Sequence, residues 1–202
     1  MTFSREHKQL RISNLCPMDL NFLLYIENIY ECYLGKEEIF PGRGVIPNDQ
    51  ELLEAESFSV RLHTCWDEIV KEYEQQQYMD NHFKTFHFRD CYKNLFKEGS
   101  ISQIAEKVWS SFSLWWWSEY GIKAYMERYS DIFLPDLAEQ IWKGIYEKNI
   151  EVDDSCSLYV ILLFKQPVRV LPKSSNNLFF STINNFVYKR EDITSDIVDL
   201  FV

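Results

Sequence analysis

Glycine and proline are scarce, with six of each in 202 residues, where ordinary usage is nearer ~7% and ~5%. So few chain breakers leave little room for the closely spaced turns of an all-β sandwich or barrel, and helix is the leading expectation. Alanine occurs four times against seventeen isoleucines, so bulky branched side chains must fill the interior. Long apolar runs are missing too. The longest, Leu158 to Phe164, is far short of the ~20 residues that span a bilayer. The charged N-terminus holds no apolar segment of the ~7–15 residues that a secretory signal requires. A soluble, cytoplasmic protein is therefore expected.

Positive charge is also in short supply. Lysine and arginine total 21 against 31 acidic residues, for a net charge of −10. Phosphate backbones and anionic lipids repel a chain of this sign, so neither nucleic acid nor membrane is an expected partner. A partner steered by charge should be basic. The five cysteines (Cys16, Cys32, Cys65, Cys91, Cys156) are odd in number and scattered, which suits reduced thiols in a core better than a disulfide framework.

The common catalytic signatures are absent: no GxSxG, SxxK, HExxH, DxDxDG or GxGxxG occurs, and no catalytic residue, cofactor or metal is assigned from motifs. Weaker constellations each have a plainer explanation. His63-Thr64-Cys65-Trp66 pairs a thiol with an imidazole, but no glycine-rich approach precedes Cys65 and all four histidines lie before residue 88. Cys65 shares a helical stripe with Leu62, Trp66 and Ile69 and reads as a buried structural thiol. His87 and Cys91, four apart with His82 nearby, could supply two zinc ligands but lack the other two. Gly42-Arg43-Gly44 could cradle an anion, yet it lies between two helical patterns and without phosphate-loop spacing. The carboxylate pairs Asp67/Glu68, Glu72/Glu74 and Asp153/Asp154 look like solvated surface.

The residues present imply an α+β fold. Apolar residues at helical spacing run from Asp19 to Leu34, with Gly35 as the stop, and from Asn48 or Asp49 to about Gln77, where Phe58-Ser-Val could interrupt. An irregular loop with two glycines and two prolines separates them. Residues 78–90 fit helix and strand equally. A helix opens at Ser100 and leads to Trp115-Trp116-Trp117, and Pro135 would start another. After residue 150 the texture turns β-rich: Leu158–Phe164, Val168 and Val170 around Arg169, Leu178–Phe180 and Phe186–Tyr188 read as strands, before a short terminal helix from Asp192. The expected organisation is one domain over 1–202, mainly helical in 1–150 and strand-rich in 151–202.

Two functions follow from charge and from what is lacking. The first is a small acidic interaction protein that binds and neutralises a basic protein partner, as an immunity protein blocks a toxin. Half of the net charge lies in residues 1–60, so Glu37, Glu38, Glu51, Glu54 and Glu56 would steer that partner, and one tryptophan, Trp116, would anchor it. Three consecutive helical residues point ~100° apart, so at least one tryptophan should reach a boundary or the surface. The second is a hydrolase or transferase whose histidines 63, 82 or 87 meet carboxylates between helices.

Overall fold

A computed structural model describes residues 10–35, 53–75, 92–97, 101–152, 156–175 and 177–202. It is an α+β fold with two compact units that interleave along the chain. The first comprises Met1–Pro17, Ile122–Gln166 and Pro172–Val202; the second comprises Met18–Gly121 and Pro167–Leu171. The units do not follow the helical and strand-rich division at residue 150. That boundary falls inside the first unit, because an N-terminal strand pairs with the distant strand after it.

The first unit is built on a three-stranded parallel sheet in the order β1 (Arg11–Leu15), β2 (Ser157–Leu163), β3 (Leu178–Thr182). Arg11 is opposite Ser157 and Leu15 opposite Ile161, while Tyr159 is opposite Leu178 and Leu163 opposite Thr182. Six consecutive residues of β2, Leu158 to Leu163, are buried, the continuous apolar run of a strand covered on both faces. Strand β1 escapes pattern reading because its sequence, Arg-Ile-Ser-Asn-Leu, is short and half polar.

Helix α4 (Ile122–Glu147) buries Met126, Ser130, Leu137, Ala138, Ile141 and Ile145 and packs on β1 and on two C-terminal helices, α5 (Ile183–Tyr188) and α6 (Arg190–Asp199). Pro135, expected to open a helix, sits inside α4 instead. Its missing N–H leaves the carbonyl of Asp131 without its helical donor, and both residues are exposed, where water can serve that carbonyl. Phe186–Tyr188, expected as a strand, belongs to α5. The hydroxyl of Thr182 accepts the Asn185 N–H at 3.1 Å, an N-cap that starts a helix at once, and Ile183, Phe186 and Val187 face inward at helical spacing. Where α4 meets α6, a Cβ on Gly144 would stand 2.7 Å from Val198 Cγ2, so the absence of a side chain sets that approach.

In the second unit, α1 (Met18–Tyr33) is the central element: all thirteen residues from Asp19 to Glu31 are buried. It ends as expected, with Gly35 at φ +76°. Against α1 lie α2 (Ala55–Glu74) and α3 (Ile101–Trp117), with a single 3-10 turn at Tyr92–Leu95 packed on both. The start of α2 expected at Asn48 or Asp49 lies outside the described residues, and the helix runs through Phe58-Ser59-Val60 unbroken. Its inward stripe is Phe58, Leu62, Cys65, Trp66, Ile69 and Tyr73.

An aromatic cluster fills the space around Phe22. Its ring centroid is 5.1 Å from Tyr92, 5.1 Å from Trp109 and 4.8 Å from Phe112. Phe112 in turn stacks on Trp116 at 5.4 Å, and Tyr30 stacks on Phe58 at 4.0 Å. Cys65 is buried as expected but is not a reduced thiol: it is disulfide-bonded, whereas Cys16, Cys32 and Cys156 are free. Among the described residues no helix is long and apolar enough to cross a membrane.

Candidate functional site

Strands β2 and β3 are adjacent and parallel, yet the fourteen residues joining them contain no helix among those described. Parallel neighbours need a crossover of about a dozen residues or more, usually helical. Here its middle, Pro167–Leu171, belongs to the second unit, and buried carboxylates of α1 hold it. Glu27 accepts the backbone N–H of Val168 at 3.1 Å and that of Arg169 at 2.6 Å. One turn later on the same face, Glu31 pairs with the Arg169 guanidinium through Nε and Nη2. Arg169 Nη1 donates to Ser59 Oγ at 2.8 Å, and the guanidinium lies over the rings of Tyr30 and Phe58 at 5.0 and 5.8 Å.

The alternation expected for a strand at Val168–Val170 survives as a burial pattern, with Val168 half exposed and Val170 buried. The backbone donors of Val168 and Arg169, however, go to a carboxylate rather than to a neighbouring strand. The Tyr30 hydroxyl donates to the Leu53 carbonyl at 2.9 Å. Its pKa is raised, chiefly by burial, with Arg169 opposing the rise.

Chemically this cluster is a clamp. Glu27 and Glu31 are both 0% exposed, and their described partners are backbone amides and a guanidinium, which order a chain segment and leave no oxygen facing solvent. A third buried carboxylate, Asp19 at the start of α1, accepts the Tyr73 hydroxyl at 3.1 Å.

The outward side of the same unit has a different character. Helix α2 turns Glu56, Asp67, Glu68, Glu72 and Glu74 to the surface, and Glu54 just before it is exposed as well. On α3, Glu106 is exposed, as is Glu119 beyond its end. Against these eight carboxylates, the described residues of the unit fully expose two cations, Lys71 and Lys107, with Arg61, Lys93 and Lys97 half-buried. The first unit is more balanced: its described exposed charges include Arg11, Arg128, Lys143, Lys148, Lys173 and Lys189 among the acids.

Of the residues expected to meet a partner, Glu54 and Glu56 therefore stand on an exposed acidic face, while Glu37, Glu38 and Glu51 lie outside the described residues. Trp116 does not serve: it is 0% exposed, packed between Phe112 at 5.4 Å and Trp115 at 6.3 Å. Its indole N–H has no hydrogen-bond partner among the described residues. The three tryptophans divide as helical geometry requires, with Trp115 intermediate, Trp116 buried and Trp117 exposed to 58%. Which of them faces outward depends on the phase of α3.

The residues considered for catalysis do not assemble among those described. His63 is exposed on α2, and its Nδ1 sits 2.8 Å from the Ser59 carbonyl. His82, His87, Cys91 and Gly42-Arg43-Gly44 lie outside the described residues, as does Asp153/Asp154. Among the described residues no group of three His, Cys, Asp or Glu side chains could hold a metal ion. Cys16, near the end of β1, has its thiol pushed up to about 12 by burial first and by Glu127 next.

Sequence patterning does not single out Arg169, Glu27 and Glu31 as a site, although one signal points to them. Helix α1 carries two glutamates four residues apart in an otherwise apolar face and contains no lysine or arginine, so a cation had to arrive from elsewhere in the chain. Compared with family models, curated proteins and solved structures, the chain matches none.

Proposed function

We propose that the chain is a small acidic interaction protein that binds and neutralises a basic protein partner, as an immunity protein does a toxin domain. The observation that carries this reading is the outward side of α2, where Glu54, Glu56, Asp67, Glu68, Glu72 and Glu74 are exposed beside a single exposed lysine. A field of one sign over a rigid helix speeds encounter with a partner of opposite sign and slows approach of the wrong one. Glu37, Glu38 and Glu51 extend that acidic segment in sequence and belong to the same proposal. A disulfide at Cys65 is more at home in an oxidising compartment than in the cytosol, so cytoplasmic residence is not part of it.

The test is association with the products of neighbouring genes, measured as an on-rate against ionic strength. A true partner binds with a rate that falls steeply with salt and falls at least ~10-fold when Glu68 and Glu72 are both changed to lysine. Absence of any salt-sensitive complex would end the proposal.

A further inference from the structure

Helix α3 ends in a second exposed feature. Leu114, Trp117 and Tyr120 are 77%, 58% and 91% exposed. Spaced by three, they follow one side of the last helical turn and continue into the turn beyond it. Single exposed apolar residues are ordinary, but three large ones in succession mark a surface that a partner covers.

Their support is rigid. On the opposite side of α3, Phe112 and Trp116 are fully buried and stacked on each other. Beyond the helix, the Gly121 N–H donates to the Ser118 carbonyl at 2.8 Å. A Cβ at position 121 would stand 2.5 Å from the Trp115 carbonyl oxygen, so only glycine closes the turn that contains Tyr120. A backbone held this way loses little freedom on binding, which helps the side chains it carries to act as anchors.

We propose that Leu114, Trp117 and Tyr120 form the apolar anchor for an amphipathic, lysine- or arginine-bearing segment of a protein partner. This rests on reading the chain as an acidic interaction protein and gives that reading its contact point. Charge complementarity selects the occupant: the unit carrying the anchor exposes eight carboxylates against two lysines among its described residues, and Glu119 is exposed between Trp117 and Tyr120. Indole and phenol faces also attract ammonium and guanidinium groups, as Tyr30 in the same unit does with Arg169 at 5.0 Å. A second copy of this chain would bring the same carboxylates against each other, which disfavours it as the occupant.

The test uses the full chain and three labelled synthetic helical peptides. One has a lysine face and a leucine stripe, one replaces the leucines by serine, and one replaces the lysines by glutamate. Binding is read by fluorescence anisotropy at low and at physiological salt, alongside size-exclusion chromatography with light scattering.

The lysine–leucine peptide should bind, and the other two at least ~10-fold more weakly. Trp117→Ser and Leu114→Ser should each weaken it by ~10-fold or more, as for interface anchors, with far-ultraviolet circular dichroism showing that each variant keeps its fold. Undiminished binding in both variants overturns the proposal. So does equal binding of the glutamate peptide, no binding of any peptide, or a dimer that Trp117→Ser converts to monomer. If Glu68→Lys/Glu72→Lys weakens binding while Trp117→Ser does not, the acidic reading stands and the anchor falls. The reverse result keeps the anchor and removes the charge argument.

Discussion

Replacing Arg169 by methionine tests the clamp most directly. Methionine keeps much of the arginine stem's volume and its contact with Tyr30 and Phe58, but it removes the guanidinium paired with Glu31. Glu31 is 0% exposed and the Arg169 side chain 14% exposed, so solvent cannot replace the lost cation. Breaking a buried pair from one side costs ~3–5 kcal/mol, most of it the uncompensated charge left behind. Losing the guanidinium over two rings adds ~0.5–1 kcal/mol or more. Against a typical domain stability of ~5–15 kcal/mol, that is a large fraction.

The assay is urea unfolding followed by far-ultraviolet circular dichroism and tryptophan fluorescence, with the midpoint and slope fitted together. The decisive comparison is the double variant Arg169→Met/Glu31→Gln, which removes the stranded charge as well as its partner. It should recover most of the loss, to within ~1–2 kcal/mol of the native chain, because an apolar and neutral replacement of a buried pair is often nearly neutral. Glu27 keeps its two backbone donors in both variants, so the segment retains a second hold. A loss below ~1 kcal/mol in the single variant, or no recovery in the double, would refute the clamp.

Further expected outcomes concern packing and titration. Gly144→Ala, ordinarily stabilising in a helix by up to ~1 kcal/mol, should lower the melting temperature, because its Cβ meets a branched Val198 methyl at 2.7 Å. Pairing it with Val198→Ala should reverse that loss. Trp116→Phe should cost about 1 kcal/mol or less, since it removes an indole N–H with no described partner, whereas Trp116→Ala should cost ~3–5 kcal/mol in a denaturant melt. Cys16, with its pKa pushed up to about 12, should resist iodoacetamide at pH 8.5 until denaturant is added, as peptide mass spectrometry would show; rapid labelling of the folded chain would contradict that rise. The same shift has a stability consequence. From about pH 9 to about 12 the unfolded thiol gives up its proton while the folded one keeps it, so stability falls as pH rises through that window. The raised pKa values of Tyr25, Tyr30 and Tyr125, each caused mainly by burial, act in the same direction, and an alkaline titration of the unfolding midpoint would measure their sum.

The elements most readable in advance are those whose own periodicity forms their packing face. Helix α1, the stripe of α2 from Phe58 to Tyr73, the buried run of β2 and the stop at Gly35 are local patterns, and they appear where spacing placed them. Expectation and structure differ where a local preference meets a tertiary constraint. Phe186-Val187-Tyr188 has strand composition, but the Thr182 cap delivers it into a helix. Pro135 is a helix starter by preference, but a long packed face carries α4 through it. The strand alternation at Val168–Val170 is real, but a carboxylate satisfies the backbone.

The candidate surfaces divide in the same way. Excess acid and the clustering of three tryptophans are properties of composition and order. Which tryptophan is buried is a matter of helical phase against Phe22 and Phe112: Trp116, the expected anchor, is buried, and Trp117 is exposed.

By itself, then, the sequence determined a helix-dominated α+β chain with a net charge of −10 and a continuous strand near its end, because propensity, periodicity and charge act within a few residues. Only the tertiary structure decided that β1 joins β2 across more than 140 intervening residues, that Arg169 finds Glu27 and Glu31 on α1, and that Leu114, Trp117 and Tyr120 are exposed while Phe112 and Trp116 are buried. Those outcomes depend on pairings between residues far apart in the chain. Burial makes such pairings matter, since a carboxylate removed from water must find its cation or its amide donors wherever the fold brings them.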